Sequence, residues 1–189
     1  MRTRIALLGG ILVLTLIAPT PAAAQTRVPD RGMWGLSLQA GVAMPLDDAL
    51  ASGVNLGAAL EGYVTPRVSI RGQVAGPWFD IKGRPFEGSI RPMAFTGNVV
   101  YNWEHGKWHP FATGGIGLYR FRFDENDFDS NDTKFGIDFG GGIEYFFTRR
   151  DVLLGETLVH FVGDDRVNSA NSSYESRYWT ISGGYKRYF

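Results

Sequence analysis

The chain has no cysteine among its 189 residues, which excludes disulfide bonds and thiol chemistry. It also has no excess of charge, with 19 basic and 19 acidic residues, so its composition gives no indication of nucleic-acid binding. Beyond the N-terminus there is no apolar run long enough for a membrane helix and no helical periodicity. What is abundant is glycine, at 25 residues, and aromatic side chains, at 14%, a composition typical of β-structure rather than of disorder.

The N-terminus resembles an export signal in its order of segments. A basic start, residues 1–4, precedes an apolar run, residues 5–18, and a small-residue stretch ending at Ala24. This order predicts a cleaved signal peptide over residues 1–24 and a mature domain over residues 25–189. The alternative, an N-terminal membrane helix, is disfavoured because the run is shorter than the ~20 apolar residues that a span needs. Loss of Arg2 and Arg4 leaves 17 basic and 19 acidic residues.

Period-two alternation is the dominant pattern in the rest of the chain. In residues 133–147, TKFGIDFGGGIEYFF, aromatic and branched residues occupy the odd positions, while glycine, Asp138 and Glu144 occupy the even ones. Such alternation predicts a strand with one apolar and one polar or small face. In GIGLYRFRF, residues 115–123, Tyr119 shares one face with Gly117, and Arg120 shares the other with Leu118.

The same pattern predicts eight strands, near residues 34–43, 55–64, 67–77, 90–103, 108–123, 134–147, 152–162 and 176–189. Tight turns alternate with longer connections at 44–54, 78–89, 124–133 and 163–175. This alternation is typical of an up-and-down meander that has short turns at one end of the barrel and long loops at the other. We therefore predict an all-β fold, an eight-stranded antiparallel up-and-down transmembrane β-barrel.

The charged face of these strands predicts which side of the barrel meets the membrane. So many ionisable groups would be too costly in a dry soluble core, but they can pair across the polar interior of a small membrane barrel. An eight-stranded barrel has room inside only for its own side chains, so we expect a plugged lumen. The predicted polar network of the lumen consists of Glu61, Arg71, Gln73, Arg120, Arg122, Asp138, Glu144, Glu156, His160 and Lys186.

Aromatic residues gather toward the predicted strand ends, as expected for girdles at two membrane interfaces. One group lies near the short turns and the other toward the long connections. The first group is Trp34, Tyr101, Trp103, Trp108, Phe111 and Tyr145, and the second is Phe121, Phe123, Phe135, Phe161 and Trp179.

With PFATGGIGLYRF, FGIDFGGGIEYFFT and the terminal YKRYF, the mature chain resembles the outer-membrane protein β-barrel family, the eight-stranded OmpA-like and OmpW-like barrels. The resemblance implies that Tyr185 and Phe189 act as the signal read by the outer-membrane insertion machinery. Arg187 departs from the family pattern, which usually has an apolar or aromatic residue there. The resemblance also implies a monomer in a Gram-negative outer membrane, with periplasmic termini. Its expected partners are outer-membrane lipid, lipopolysaccharide and periplasmic chaperones, and no nucleic acid.

Three weaker motifs point to other chemistry. His160 is a candidate general base, but the His-x-Ser pattern of lipid A deacylases is absent from LVHFVGDD, so membership of the lumen network is favoured. Asp127, Asp129 and Asn131 match the first ligands of a calcium loop, but the turn glycine is missing and position twelve is Asp138. The G-x-W at residues 32–34 also opens soluble lipocalins, whose barrel has an apolar interior. We therefore predict no catalytic residues, no metal site and no cofactor.

The predicted function is a structural one, in membrane integrity or surface interaction. The alternative is a narrow porin-like channel for small solutes. A lipid-modifying outer-membrane enzyme is a third class.

Overall fold

The computed structural model describes residues 29–46, 52–77, 79–80, 89–125, 128–163 and 176–189. Side chains are described for all of these except 79–80, 89–91, 121–132 and 176. The predicted signal peptide lies outside the described residues and stays a prediction. The strands are β1 (Trp34–Pro45), β2 (Gly53–Tyr63), β3 (Val68–Pro77), β4 (Phe79–Asp80), β5 (Ser89–Asn102), β6 (Trp108–Glu125), β7 (Phe128–Phe146), β8 (Asp151–Val162) and β9 (Ser176–Tyr188).

The strands form one closed antiparallel sheet. Neighbours in sequence pair with each other, except β3 and β4, and β1 pairs with β9. β3 pairs with β5 from Val68↔Tyr101 to Ala75↔Ala94. The two-residue β4 pairs only with the start of β5 and shares one barrel position with β3, so the barrel has eight positions. Closure leaves no exposed sheet edge around the barrel wall. The predicted eight-stranded up-and-down barrel is confirmed. No helix among the described residues is long and apolar enough to cross a membrane.

Alternation sets the two faces of the wall. Along β8, Val152, Leu154 and Glu156 are buried, while Leu153 between them is exposed. The exposed set is dominated by Leu, Ile, Val and Phe, as expected for a surface that faces hydrocarbon.

Inward glycines let the small barrel close around bulky side chains. A Cβ at Gly136 would lie 2.7 Å from the ring of Tyr119, and one at Gly142 would lie 2.7 Å from the ring of Phe111. Contacts this short would force the neighbouring atoms to move, so glycine is favoured at both positions.

The two ends of the barrel differ. The turn end carries residues Trp34 and Phe189 and the short connections 64–67, 103–107 and 147–150. In the second of these, Gly106 has a φ of 64°, a conformation that favours glycine. The opposite end is called the loop end here.

Residues 124–133, predicted as a long loop, are mostly strand. β6 continues to Glu125 and β7 starts at Phe128, with pairing up to Glu125↔Phe128. The sequence pattern misses this extension because a hairpin that rises above a membrane has no apolar face, while its backbone pairing continues unchanged. β7 pairs with β8 only as far as Gly136↔Val162, so the hairpin extends beyond β8.

Candidate functional site in the barrel lumen

Polar residues line the inner face of the barrel. Seven of the predicted lumen residues are buried there, and Gln73 is half-buried on the same face. The seven come from five different strands and are Glu61, Arg71, Asp138, Glu144, Glu156, His160 and Lys186.

Five of these side chains form one ionic cluster, made of Glu61, Arg71, Glu144, Glu156 and Lys186. Arg71 donates from Nε to Glu61 Oε2 at 2.8 Å and from Nη1 to Glu156 Oε1 at 2.5 Å. Lys186 donates from Nζ to Glu61 Oε2 at 2.7 Å and to Glu144. The cluster thus spans the lumen from β2 and β3 to β7, β8 and β9. All five side chains are at most 2% exposed, so their ion pairs are screened little by water.

Neighbouring groups add further hydrogen bonds to the cluster. Ser69 Oγ donates to Glu61 Oε1 at 2.6 Å, and Tyr188 OH donates to Glu144 Oε2 at 2.9 Å. The guanidinium of Arg71 also lies over the ring of Phe111, 5.1 Å from its centroid. Phe111 was expected in the outer girdle of aromatics, but it is buried inside the barrel, where it packs with Val100 and Leu154. Its ring fills the space that Gly142 leaves on β7.

An aromatic layer packs inside the lumen below the ionic cluster, at the turn end. Tyr63, Phe146, Val152 and Tyr188 pack together with Met33 against them. The rings of Phe146 and Tyr188 stack with centroids 5.7 Å apart, and the hydroxyls of Tyr63 and Tyr188 lie 3.0 Å apart. These two tyrosines connect the aromatic layer to the carboxylate of Glu144.

A second layer lies toward the loop end. Tyr119 and Tyr178 pack there with Ala43, Ala94 and Val162. His160 stacks on Tyr178 with centroids 4.4 Å apart, and its Nδ1 lies 3.0 Å from Tyr119 OH. Its Nε2 lies 3.3 Å from Thr180 Oγ1, so both ring nitrogens have neighbours within the lumen.

Between the ionic cluster and the second layer, several buried polar atoms have no protein partner. They include Gln73 Oε1, Thr113 Oγ1, Asp138 Oδ2 and Glu156 Oε2. The other carboxylate oxygen of Asp138, Oδ1, accepts a hydrogen bond from the Asn98 amide. Such atoms cost free energy unless water bonds to them, so we expect ordered water in this part of the lumen.

One of the predicted lumen arginines is found on the outer face instead. Arg120 is exposed on the outer face, a correction, whereas Tyr119 beside it is fully buried. The predicted alternation in β6 is correct, but its lumen face and its lipid face are the reverse of those predicted. Three features explain the faces that the structure shows. The hydroxyl of Tyr119 hydrogen-bonds with His160 inside the lumen, and Leu118 is favoured against lipid. Glycine suits the inner position 117, because a Cβ there would lie 2.6 Å from Thr96. The side chain of Arg122 lies outside the described part of the structure.

Sequence reasoning missed the tyrosines of the lumen. Tyr63 follows Glu61 by two positions and Tyr188 follows Lys186 by two, so alternation alone places each on the face of its charged neighbour.

The terminal strand presents its predicted insertion signal outward. Tyr185 and Phe189 are exposed, and Phe189 stacks on Trp34 with centroids 4.3 Å apart. The unusual Arg187 donates to Asp151 Oδ1 at 3.3 Å, and Tyr185 OH donates to the same carboxylate. The charge of Arg187 is therefore balanced at the rim. Recognition of Tyr185 and Phe189 by the insertion machinery stays a prediction.

The weaker motifs gain no further support. Among the described residues, no group of three or more His, Cys, Asp or Glu side chains could hold a metal ion. Asp129 and Asn131 belong to β7 rather than to a loop, and Asp127 lies outside the described residues.

Comparisons with known proteins agree with this architecture. Neisserial surface protein A is 16% identical, with a TM-score of 0.68 over 84% of this chain and 100% of that one. Ail, the attachment invasion locus protein of Yersinia pestis, is 11% identical, with a TM-score of 0.59 over 84% and 99%. OprG from Pseudomonas aeruginosa is 13% identical, with a TM-score of 0.55 over 85% and 98%. At these identities the likeness concerns the fold alone. No sequence among the curated proteins matches the chain.

The family model of the outer membrane protein beta-barrel domain matches residues 10–186. With its closed sheet and apolar outer face, the protein is an outer-membrane barrel. The chain therefore belongs to the outer membrane protein beta-barrel family.

Proposed function

We propose that this barrel has a structural role, in membrane integrity or surface interaction, and that its lumen does not conduct solutes. The observation that carries the proposal is the ionic cluster. Arg71 and Lys186 each reach two carboxylates on other strands, and Glu61 joins both cations. A cross-linked set of side chains in the centre of an eight-stranded barrel leaves little room for a solute path.

The packing on either side supports a closed lumen. The layer of Tyr63, Phe146, Val152 and Tyr188 lies toward the turn end, and that of Tyr119 and Tyr178 lies toward the loop end. A hydrated ion would have to displace both layers and break ion pairs that are buried from water.

The β6–β7 hairpin supports a surface role. It continues beyond the last β7–β8 pair, so it projects from the loop end. If the termini are periplasmic, as the resemblance implies, this hairpin extends outside the cell.

The alternative of a narrow channel is favoured by one observation, the buried polar atoms without a protein partner. Gln73 Oε1, Thr113 Oγ1 and Asp138 Oδ2 provide acceptors above the ionic cluster. A chain of water molecules along them would carry small ions only if the cluster itself opened.

Single-channel recording in planar bilayers distinguishes the two functions. We expect no discrete conductance steps from the wild type, and regular steps would overturn the closed lumen in favour of a channel. A variant combining Glu61→Ser, Arg71→Ser, Glu144→Ser, Lys186→Ser, Tyr188→Ser, Tyr119→Ser and Tyr178→Ser removes two charges of each sign and tyrosine rings from both layers of the lumen. It is expected to conduct if it still shows the heat-modifiable gel migration of a folded barrel.

Arg120→Gln is the matched control for this experiment. It also neutralises an arginine on a strand, but the side chain is on the outer face. We expect it to remain silent, and conductance from this variant would show that the steps come from damaged membranes rather than from an opened lumen.

We also infer that the protein is not an enzyme. His160, the one candidate base that the sequence suggested, is buried between Tyr119, Tyr178 and Thr180. Mass spectrometry of lipid A from a deletion strain is expected to match the parent strain, and a change in acyl or phosphate content would contradict this inference.

A further inference from the structure

Negative charge exceeds positive charge among the buried side chains of the lumen. In the described part of the chain, these side chains include four carboxylates but only two permanent cations. The carboxylates are those of Glu61, Asp138, Glu144 and Glu156, and the cations are those of Arg71 and Lys186. A buried charge without a counter-charge is costly, so two positive charges from outside the chain would stabilise this arrangement.

The excess charge is located at Asp138 and Glu156, which are 2% and 5% exposed. Glu156 accepts from Arg71 through Oε1, while its Oε2 has no protein partner. Asp138 accepts from the neutral amide of Asn98 through Oδ1, and its Oδ2 has no protein partner. The other two carboxylates, by contrast, each accept from Lys186 and from a hydroxyl group.

Strand register brings these two carboxylates into the same part of the lumen. Arg71 on β3 pairs directly with Asn98 on β5. The first of these side chains reaches Glu156 and the second reaches Asp138. Gly115 on β6 lies between Asn98 and Asp138, and a Cβ there would lie 2.5 Å from the amide nitrogen of Asn98. The two carboxylates therefore approach one Arg–Asn pair, from β7 and from β8.

Two neutral oxygens bring the set of acceptors without a partner to four. Thr113 Oγ1 and Gln73 Oε1 are buried and have no protein partner. Thr113 pairs with Gly140, which is two positions from Asp138 on the inner face of β7, and Gln73 is two positions from Arg71 on β3. Carboxylate and amide oxygens are typical ligands of hard cations. One donor, Arg71 Nη2, also lacks a protein partner, and it suits a water molecule in the same space.

The other described basic residues of the inner face belong to the second layer, toward the loop end. His160 pairs with Asp138 across the strands, but its ring nitrogens lie next to the hydroxyls of Tyr119 and Thr180. Lys134 is half-buried and pairs with Tyr119, so it lies at the level of that layer. A bound cation or protons must then balance the charge of Asp138 and Glu156.

We propose that this part of the lumen binds one calcium ion, with Asp138 and Glu156 as charged ligands and Gln73, Thr113 and water as neutral ones. A single Ca²⁺ balances both excess charges, and it accepts about six to eight oxygens in a flexible geometry. Mg²⁺ demands a near-ideal octahedron, which is harder to build from side chains on four separate strands. Because aromatic layers lie on both sides, we expect the ion to enter as the barrel folds. The inference goes beyond the structural role, and recordings of conductance would leave it unchanged.

The test refolds the mature barrel in detergent micelles in the presence of either calcium chloride or EDTA. After free ions are removed, native mass spectrometry measures the number of calcium ions retained per barrel. We expect one ion on the wild type folded with calcium and none on the protein folded with EDTA. Urea unfolding should show a higher midpoint with calcium, because an ion that binds only the folded state stabilises it.

Asp138→Asn removes one charged ligand and keeps the shape of the side chain. The variant should retain no calcium, and its unfolding midpoint should be the same with calcium and with EDTA. In EDTA it should be at least as stable as the wild type, because it lacks one uncompensated buried charge. A purely structural role of Asp138 would instead lower the midpoint in both conditions. Asp151→Asn, which changes a carboxylate at the turn-end rim, is the matched control and should retain the ion.

A wild type that retains no calcium and has the same midpoint in both conditions would overturn the proposal, and protons would then balance the carboxylates. Equal retention by the wild type and Asp138→Asn would place the ion elsewhere and would overturn it as well. Preferential retention of magnesium from an equimolar mixture would overturn the assignment to calcium. The comparison of calcium with EDTA on the wild type needs no variant, so the test holds even if Asp138→Asn does not fold.

Discussion

The inner and the outer face of this barrel are built from adjacent residues but follow opposite rules. Inside, Glu61, Arg71, Glu144, Glu156 and Lys186 are nearly inaccessible and join through four ion pairs. Outside, the apolar side chains are the exposed ones, and the turn-end pair of Asp151 and Arg187 is partly open to solvent. An ion pair therefore affects the free energy of unfolding very differently on the two faces, because breaking a buried pair costs far more than breaking an exposed one.

The largest expected effect comes from breaking the ionic cluster at the residue that joins both cations. Glu61→Ala leaves Arg71 and Lys186 each with one carboxylate fewer, and removing one partner of a buried pair costs roughly 3–5 kcal/mol. Denaturant unfolding in detergent or lipid vesicles measures the free energy of unfolding. The control is the preceding residue, Leu60→Ala, on the lipid face. Equal losses at both positions would mean that the cluster adds no stability beyond ordinary packing.

A smaller effect is expected from glycines on the two faces. A Cβ at Gly136 would lie 2.7 Å from the Tyr119 ring, whereas one at Gly72, on the outer face, meets nothing within 4 Å. Gly136→Ala should therefore lower the free energy of unfolding by about 1–3 kcal/mol through overpacking. Gly72→Ala should be neutral or slightly stabilising, since it restricts the unfolded chain. A larger loss of stability for Gly72→Ala than for Gly136→Ala would show that the side chains in the lumen can move to accommodate an added Cβ.

The smallest effect is expected at the rim. Arg187→Gln removes an ion pair whose arginine side chain is 52% exposed, so the unfolding midpoint should not change measurably. The same substitution at the neighbouring Lys186, which is buried in the cluster, should destabilise the barrel clearly. Similar unfolding midpoints for the two variants would remove the distinction between the faces.

How much of this arrangement the sequence predicts depends on how different the two faces of a strand are. In β7, Phe135 and Ile137 alternate with Gly136 and Asp138, and the prediction of lumen and lipid faces matches the burial found. In β6, Leu118 and Arg120 alternate with Gly117 and Tyr119, so neither face is clearly apolar or clearly polar. The predicted lumen and lipid faces of this strand are the reverse of those in the structure. Alternation cannot decide such a strand, because tyrosine suits a polar lumen and arginine suits a headgroup region.

The details of the lumen site were beyond sequence reasoning for a different reason. Strand pairing determines which lumen residues meet, and Arg71 contacts Glu156, 85 positions away in the chain. Register across a closed barrel depends on every intervening pair, so no local pattern predicts this contact. The extended β6–β7 hairpin was missed because pairing above the membrane leaves no hydrophobic signal.

Solution NMR in detergent micelles tests most directly the claim that alternate residues face lipid and a closed interior. Leu153 and Leu154 are adjacent on β8, and they are 54% and 4% exposed. We expect nuclear Overhauser contacts from the detergent acyl chains to the methyl groups of Leu153, and neither acyl-chain nor bulk-water contacts to those of Leu154. Acyl-chain contacts at Leu154, or bulk-water contacts there comparable to those of an exposed turn residue, would contradict the assignment of the two faces.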